Sequence, residues 1–165
     1  MFTKECFVTD DSITTLAVAK AIMETIKQEG AKDGEYNKGF HERLRDLTIK
    51  YLQELGRKYP NSGFGGMFYN WLFSDNPAPY NSFGNGAAMR ISPVAFVANS
   101  KKEVEELADT ITAVTHNHKE GIKGARATAL AVYMAINGAK KSEIHEEITC
   151  NYYSMDFKID DIRET

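Results

Sequence analysis

Three consecutive residues near the start of the chain, Thr9, Asp10 and Asp11, place one hydroxyl group and two carboxylates side by side. Oxygen ligands of this kind suit hard divalent cations such as Mg²⁺, Mn²⁺ or Ca²⁺ better than zinc. The same residue types also cap helices, because they accept hydrogen bonds from free N–H groups and suit the helix dipole. Taken alone, residues 9–12 predict the start of a helix first and a cation site second.

A second candidate is a glycine-rich stretch in the middle of the chain, which consists of Ser82, Phe83, Gly84, Asn85 and Gly86. Small residues let a backbone approach a ligand closely, and successive N–H groups can bind phosphate. Nearby, Phe83 or Tyr80 could stack on a base, and Arg90 could meet a phosphate or an internal carboxylate. The stretch lacks the third glycine and the preceding strand of a dinucleotide-binding fingerprint, so an ordinary turn remains the alternative.

The third candidate is the run Thr115, His116, Asn117 and His118. Alternating histidines can bind zinc, but no third soft ligand follows at a recognisable spacing. The run is therefore interpreted as the end of one helix and the start of the next, where a ring N–H can donate to a ligand oxygen. The chain contains no Gly-x-Ser-x-Gly, so it carries no signature of that type of serine nucleophile.

Helical periodicity covers most of the chain, and no stretch alternates as a half-buried strand would. Helices are predicted over residues 12–28, 39–56, 101–115 and 119–137, with shorter ones near 66–73, 93–98 and 142–148. Ser100 and Glu103 form a capping-box pattern, Gly138 stands at a helix C-terminus, and Ser142 is expected to cap the last helix. The predicted fold class is all-α.

The middle of the chain, residues 56–90, is a long segment that interrupts these helices and holds three of the four prolines. A loop of this length inside one domain is usually functional. The methionine and aromatic residues at 67–73 are interpreted as core rather than as part of a cofactor site.

Composition excludes several classes of protein. The chain has 165 residues, a net charge of −3 and 42% hydrophobic residues, which predicts one globular domain and argues against a nucleic-acid partner. No apolar run approaches the roughly 20 residues that cross a bilayer, so no membrane partner is expected. Cys6 and Cys150 are expected to be reduced thiols, and the absence of a signal-peptide pattern predicts a cytoplasmic protein.

The three motifs occur in the order in which similar motifs occur in ADP-ribosylglycohydrolases. The segment from Phe7 to Ser12 resembles that family's Phe-Thr-Asp-Asp-Thr motif, residues 81–93 resemble its ligand loop, and residues 115–125 resemble its next block. The resemblance covers nearly the whole chain. It implies a compact orthogonal helical bundle, with residues 1–165 as a single domain.

The resemblance also implies a function. Members of the family hydrolyse an ADP-ribosyl N- or O-glycosidic bond on a protein side chain or a small molecule, using Mg²⁺ or, in some members, Mn²⁺. Carried over by position, the metal ligands are Thr9, Asp10 and Asp11, and Asp10 and Asp11 are also the catalytic residues. The implied substrate-binding residues, which would contact ADP-ribose or an ADP-ribosylated substrate, are Ser82, Phe83, Gly84, Asn85, Gly86 and His116. Phe83 stands where a tyrosine is frequent, so a hydroxyl contact would be lost there.

Two features of the family are missing from the sequence, its N-terminal glycine-rich helix and its C-terminal Asp-x-Asp-Thr motif. Asp160 and Asp161 are not followed by a threonine and lie too early to replace that motif. The domain is therefore expected to be truncated at both ends and its metal site to be incomplete. Apolar faces left exposed predict self-association or a complementary chain. The alternatives to an enzyme are a non-catalytic module that binds ADP-ribose or a nucleotide, and a helical interaction fragment.

Overall fold

The regular structure of the chain is entirely helical in the residues that the computed structural model describes, which are 6–29, 36–154 and 156. No strand occurs among these residues, and the predicted all-α bundle is confirmed. The six α-helices are α1 (Asp10–Glu29), α2 (Lys38–Lys58), α3 (Gly66–Leu72), α4 (Lys101–Thr112), α5 (Lys119–Ile136) and α6 (Lys141–Asn151). Two short 3-10 helices, Ala88–Arg90 and Ser92–Phe96, lie between α3 and α4.

The helix ends follow local capping chemistry. Ser100 Oγ accepts a hydrogen bond from the backbone N–H of Glu103 at 3.2 Å, while the Glu103 carboxylate accepts from the N–H of Asn99 at 2.8 Å. Gly138, with a φ of +82°, ends α5 in the left-handed conformation that favours glycine. The prediction that Ser142 caps the last helix is wrong. That helix already begins at Lys141, because the Glu143 carboxylate accepts from the N–H of Lys140 at 2.6 Å.

The core lies between two helix pairs, in which α1 packs along α2 and α4 packs along α5. The 3-10 helix Ser92–Phe96 contacts both α1 and α5, so it joins the two pairs. The largest aliphatic side chains that are fully buried are Leu44, Leu52, Leu72, Ile91, Leu107, Ile111 and Leu130. This core fixes the start of α1 and the start of α5 relative to each other. None of the described helices is both long and apolar enough to span a membrane.

Helix α3 lies at the surface, and the interpretation of residues 67–73 as core is only partly correct. Trp71 and Leu72 are buried, but Met67 is 61% exposed and Phe73 is 47% exposed. The physical reason is that a seven-residue helix packed on α2 can bury only one side. Side chains of α2 hold it there, since Arg57 Nε donates to Leu72 O at 2.6 Å.

Candidate functional site

A cavity of about 280 Å³ lies where the start of α1, the start of α3, the glycine-rich loop (residues 82–86) and the α4–α5 connection meet. We call it the site cavity. Its lining residues are Asp10, Thr14, Gly65, Gly66, Met67, Phe68, Tyr80, Ser82, Gly84, Asn85, Gly86, Met89, Arg90 and His116.

Most of the residues singled out in the sequence line this cavity. They are Asp10, Tyr80, Ser82, Gly84, Asn85, Gly86, Arg90 and His116. The others do not line it, namely Thr9, Asp11, Phe83, Thr115, Asn117 and His118. Phe83 is 72% exposed and lines a neighbouring surface depression of about 970 Å³ between the loop, α5 and α6, which shares Gly84 and Asn85 with the site cavity.

Asp10 is held at the cavity edge by the backbone around it. Its N–H donates to Ser62 O at 2.8 Å, and its carbonyl accepts from Thr14 Oγ1 at 2.8 Å. Gly63 follows Ser62 with a φ of +91°, and a Cβ at that position would lie 3.8 Å from Asp10 Oδ1. Because 3.8 Å is an ordinary contact distance, the positive φ rather than the space beside Asp10 favours glycine at position 63.

The side chains of Thr9, Asp10 and Asp11 have the type of oxygen that a hard cation prefers, but they are too few to fill its coordination shell. Thr9 Oγ1 donates to Asp11 Oδ2 at 3.2 Å, which leaves the hydroxyl lone pairs for another partner. Within the described part of the chain, no cluster of three or more His, Cys, Asp or Glu side chains is placed to hold a metal. Because Mg²⁺ takes six oxygen ligands, the oxygens of Thr9, Asp10 and Asp11 would not complete such a site by themselves.

The glycine-rich loop is shaped by its two ends. Asn81, just before it, has a φ of +54°, and its N–H donates to the Asn117 side-chain oxygen at 2.7 Å. Within the loop, Ser82 Oγ accepts from the N–H of Gly84 at 3.3 Å. The Asn81–Asn117 bond ties the start of the loop to the segment that carries His116, and the Ser82–Gly84 bond shapes the loop itself.

Two glycines allow the backbones around His116 to approach closely. A Cβ at Gly86 would lie 3.3 Å from both Cε1 and Nε2 of His116. A Cβ at Gly121, on the first turn of α5, would lie 2.8 Å from Ser82 O and 3.1 Å from His116 Cβ. The glycine-rich loop, the histidine and the start of α5 therefore pack together without intervening side chains.

Behind the cavity wall, Arg90, Thr115 and His116 form a buried chain of hydrogen bonds. Arg90 Nη2 donates to Thr115 Oγ1 at 2.6 Å, and Thr115 Oγ1 lies 2.7 Å from His116 Nδ1. Burial, together with the nearby charge of Arg90, lowers the pKa of His116 to about 4, so its ring is neutral at physiological pH. Burial lowers the pKa of Arg90 to about 10, which still leaves it a cation.

Arg90 has an unusual environment for a buried cation. Only 1% of it is exposed, its guanidinium faces the Phe68 ring at 5.8 Å, and its Nε has no hydrogen-bond partner among the described residues. No ion pair in the described ranges gives it a carboxylate. The sequence suggested a phosphate or an internal carboxylate as its partner, and the described chain supplies the Thr115 hydroxyl instead.

Some of the cavity lining was not predicted from the sequence. Phe68 was interpreted as core, and Thr115 was not assigned a role although it directly precedes His116. The second histidine of that run, His118, caps α5 by accepting from the N–H of Glu120 at 3.1 Å, which agrees with the predicted start of a helix. A carboxylate thus stands at one edge of the cavity, while a neutral histidine and a buried cation stand at another, which suits a ligand with both hydroxyl and anionic groups.

Comparison with known proteins identifies relatives of the chain. Residues 3–163 match the family model for ADP-ribosylglycohydrolase. The ADP-ribosylhydrolase ARH3 of Homo sapiens is 28% identical over 155 residues, which are 86% of this chain and 39% of the human protein. The ARH3 proteins of Bos taurus and Mus musculus are each 29% identical and cover 82% and 86% of this chain. The chain spans less than two fifths of the length of these relatives.

Proposed function

The chain belongs to the ADP-ribosylglycohydrolase family, and we propose that it hydrolyses an ADP-ribosyl N- or O-glycosidic bond on a protein side chain or a small molecule. The observation that carries this proposal is the convergence of Asp10, the glycine-rich loop and His116 on one cavity. These groups come from three distant segments of the chain. Their meeting supports a common ligand for the family motifs over three separate structural roles. We also propose that residues 1–165 form one domain.

The proposed roles follow from the chemistry of each group. Ser82, Gly84, Asn85 and Gly86 present small side chains and backbone amides, which suit the ribose and the diphosphate. His116 contributes a hydrogen-bonding ring at the same wall. Phe83 lies outside the site cavity and is exposed in the adjoining depression, where its ring lies 5.3 Å from the His118 ring and is proposed to stack on the adenine base.

Thr9, Asp10 and Asp11 are proposed to hold Mg²⁺, or Mn²⁺, because their oxygens are of the type that these ions prefer. When bound, such an ion supplies charge that polarises the ribose and lowers the pKa of a bound water. Asp10 lines the cavity, and its carboxylate can accept a proton from a water that approaches the ribose. Asp11 is proposed to act with it from the same helix start.

A second candidate function is a module that binds ADP-ribose without cleaving it. The incomplete set of metal ligands in the described residues favours it. A site of this kind would keep the loop and His116 contacts but would lack the ordered water that hydrolysis needs. A third alternative is a helical interaction fragment. It is supported by α1, whose outward side chains Leu16 and Met23 are 61% and 71% exposed. We propose self-association of the chain through that face.

Product release separates these functions. The purified chain, with Mg²⁺, is incubated with arginine-linked and serine-linked ADP-ribosyl peptides and with a small ADP-ribosyl compound, and free ADP-ribose is measured by chromatography. We expect release from at least one substrate and none in EDTA. Bound but uncleaved substrate would contradict the enzyme and support the binding module, whereas no binding at all would leave the interaction fragment.

A further inference from the structure

We propose that Arg90 and Thr115 are positioning residues that hold the His116 ring in a single tautomer, with its proton on Nε2. The ring then presents a fixed N–H donor to an anionic oxygen of the ligand in the site cavity. The identity of that ligand as ADP-ribose rests on the proposed function. The tautomer itself rests only on the hydrogen-bond chain between the three residues.

The direction of this chain follows from what each group can donate. The Arg90 guanidinium has five N–H donors and no acceptor, so Thr115 Oγ1 must accept at the 2.6 Å contact. Thr115 is fully buried, and most buried hydroxyls donate to an acceptor that lies within hydrogen-bond distance, as His116 Nδ1 does here. Among the described residues, the hydroxyl contacts only Arg90 and His116, so its proton goes to His116 Nδ1 at 2.7 Å.

An Nδ1 atom that accepts a hydrogen bond carries no proton in the neutral ring, and the proton of the ring is therefore on Nε2. Nε2 and Cε1 form the edge that faces Gly86, and a Cβ at Gly86 would lie 3.3 Å from each. Gly86 and His116 both line the site cavity. The fixed donor thus lies at the wall where the glycine-rich loop would hold a phosphate.

Burial of the ring and, to a smaller extent, the buried charge of Arg90 both lower the pKa of His116, which is why a neutral donor is present here rather than a protonated histidine. Arg90 is a cation that has no carboxylate partner in the described ranges. A positive charge on the nearby His116 ring would be repelled by it. Its field therefore disfavours a second cation on His116 and favours an anion in the cavity. The wall formed by His116 and Arg90 therefore suits an acceptor oxygen of the ligand, whereas the Asp10 carboxylate at another edge of the cavity suits a hydroxyl donor.

The test is nitrogen-15 NMR of the histidine rings of the full chain, with the His116 signals identified by their loss in His116→Gln. We expect wild-type Nδ1 to give a pyridine-type signal and Nε2 a pyrrole-type signal at neutral pH. Thr115→Val, which keeps the side-chain shape and removes the hydroxyl, should give a mixture of tautomers. Thr115→Ser restores the hydroxyl and should restore the single tautomer. A wild-type ring protonated on Nδ1 would overturn the proposal, whether or not Thr115→Val folds.

Affinity provides the second measurement, with ADP-ribose as the probe. Thr115→Val should bind it about tenfold more weakly than wild type, while Thr115→Ser should bind it nearly as well. Equal affinity of Thr115→Val and wild type would overturn the positioning role. An Nε2-protonated ring in a wild-type chain that does not bind ADP-ribose would contradict the proposed function and leave the tautomer assignment standing.

Discussion

Replacing both Asp10 and Asp11 with asparagine is expected to lower Mg²⁺-dependent release of ADP-ribose by at least about 100-fold. Asparagine keeps the size of each side chain. Asp10 and Asp11 are the first two residues of α1, so the change removes two charges that suit the helix dipole, but the buried side of α1 still packs on α2 and the helix should still form. What is lost is two negative charges at the place where the proposed cation binds. The measurement is the initial rate of product release, with thermal unfolding of the same samples to show that the fold is intact.

Asp46→Asn provides the matched control for this double variant. Asp46 lies on α2 and pairs with its neighbour Arg45 at 3.3 Å at the surface. It lines none of the site cavity, so removing its charge should leave the rate unchanged. A double variant that keeps more than about half of the wild-type rate would show that Asp10 and Asp11 do not hold an essential metal.

The second large effect is expected from Gly121→Ala, which should reduce the free energy of unfolding by about 1–3 kcal/mol and weaken ADP-ribose binding. The added Cβ would lie 2.8 Å from Ser82 O, which is a backbone atom and cannot rotate away. Either α5 or the glycine-rich loop must therefore shift, and the shift would reach His116, whose Cβ is 3.1 Å from the same point. Urea denaturation measures the stability, and calorimetry measures the binding.

Gly124→Ala, about one turn further along α5, separates this clash from the general effect of alanine in a helix. A Cβ there meets only Tyr153 Oη, at an ordinary contact distance of 3.6 Å. Helix propensity alone should make this variant more stable by about 0.5–1 kcal/mol. If both variants gain stability to the same extent, the close approach of α5 to the loop is not a constraint on the fold.

The helices of this chain could be predicted because their signals are local. Apolar spacing predicted the ends of α2 and α5 to within two residues. Gly138 predicted the end of α5, and it adopts a positive φ there. The error at Ser142 has a local cause too. Two capping patterns compete there, and the one in which Glu143 accepts from the N–H of Lys140 starts the helix earlier.

The candidate site could be predicted only in part, since it depends on contacts between distant segments. Residue types alone favoured helix capping for Asp10 and a plain turn for Gly84 and Gly86. Only the order of the motifs connected them with His116. The hydrogen bonds through Thr115 could not be predicted from the sequence, because Arg90 is 25 residues away from Thr115 in the chain. The side of α3 that faces the cavity could not be predicted from the sequence either. Trp71 and Leu72 are buried where α3 packs on α2, and Phe68 lines the cavity.

A calorimetric titration of ADP-ribose into the folded chain, first with Mg²⁺ and then with EDTA, tests the proposed site directly. We expect saturable binding to one site per chain in Mg²⁺ and at least about tenfold weaker binding in EDTA. The absence of binding heat in both conditions, from a chain shown to be folded, would contradict the proposed site. The cavity formed by Asp10, the glycine-rich loop and His116 would then not be a site for ADP-ribose.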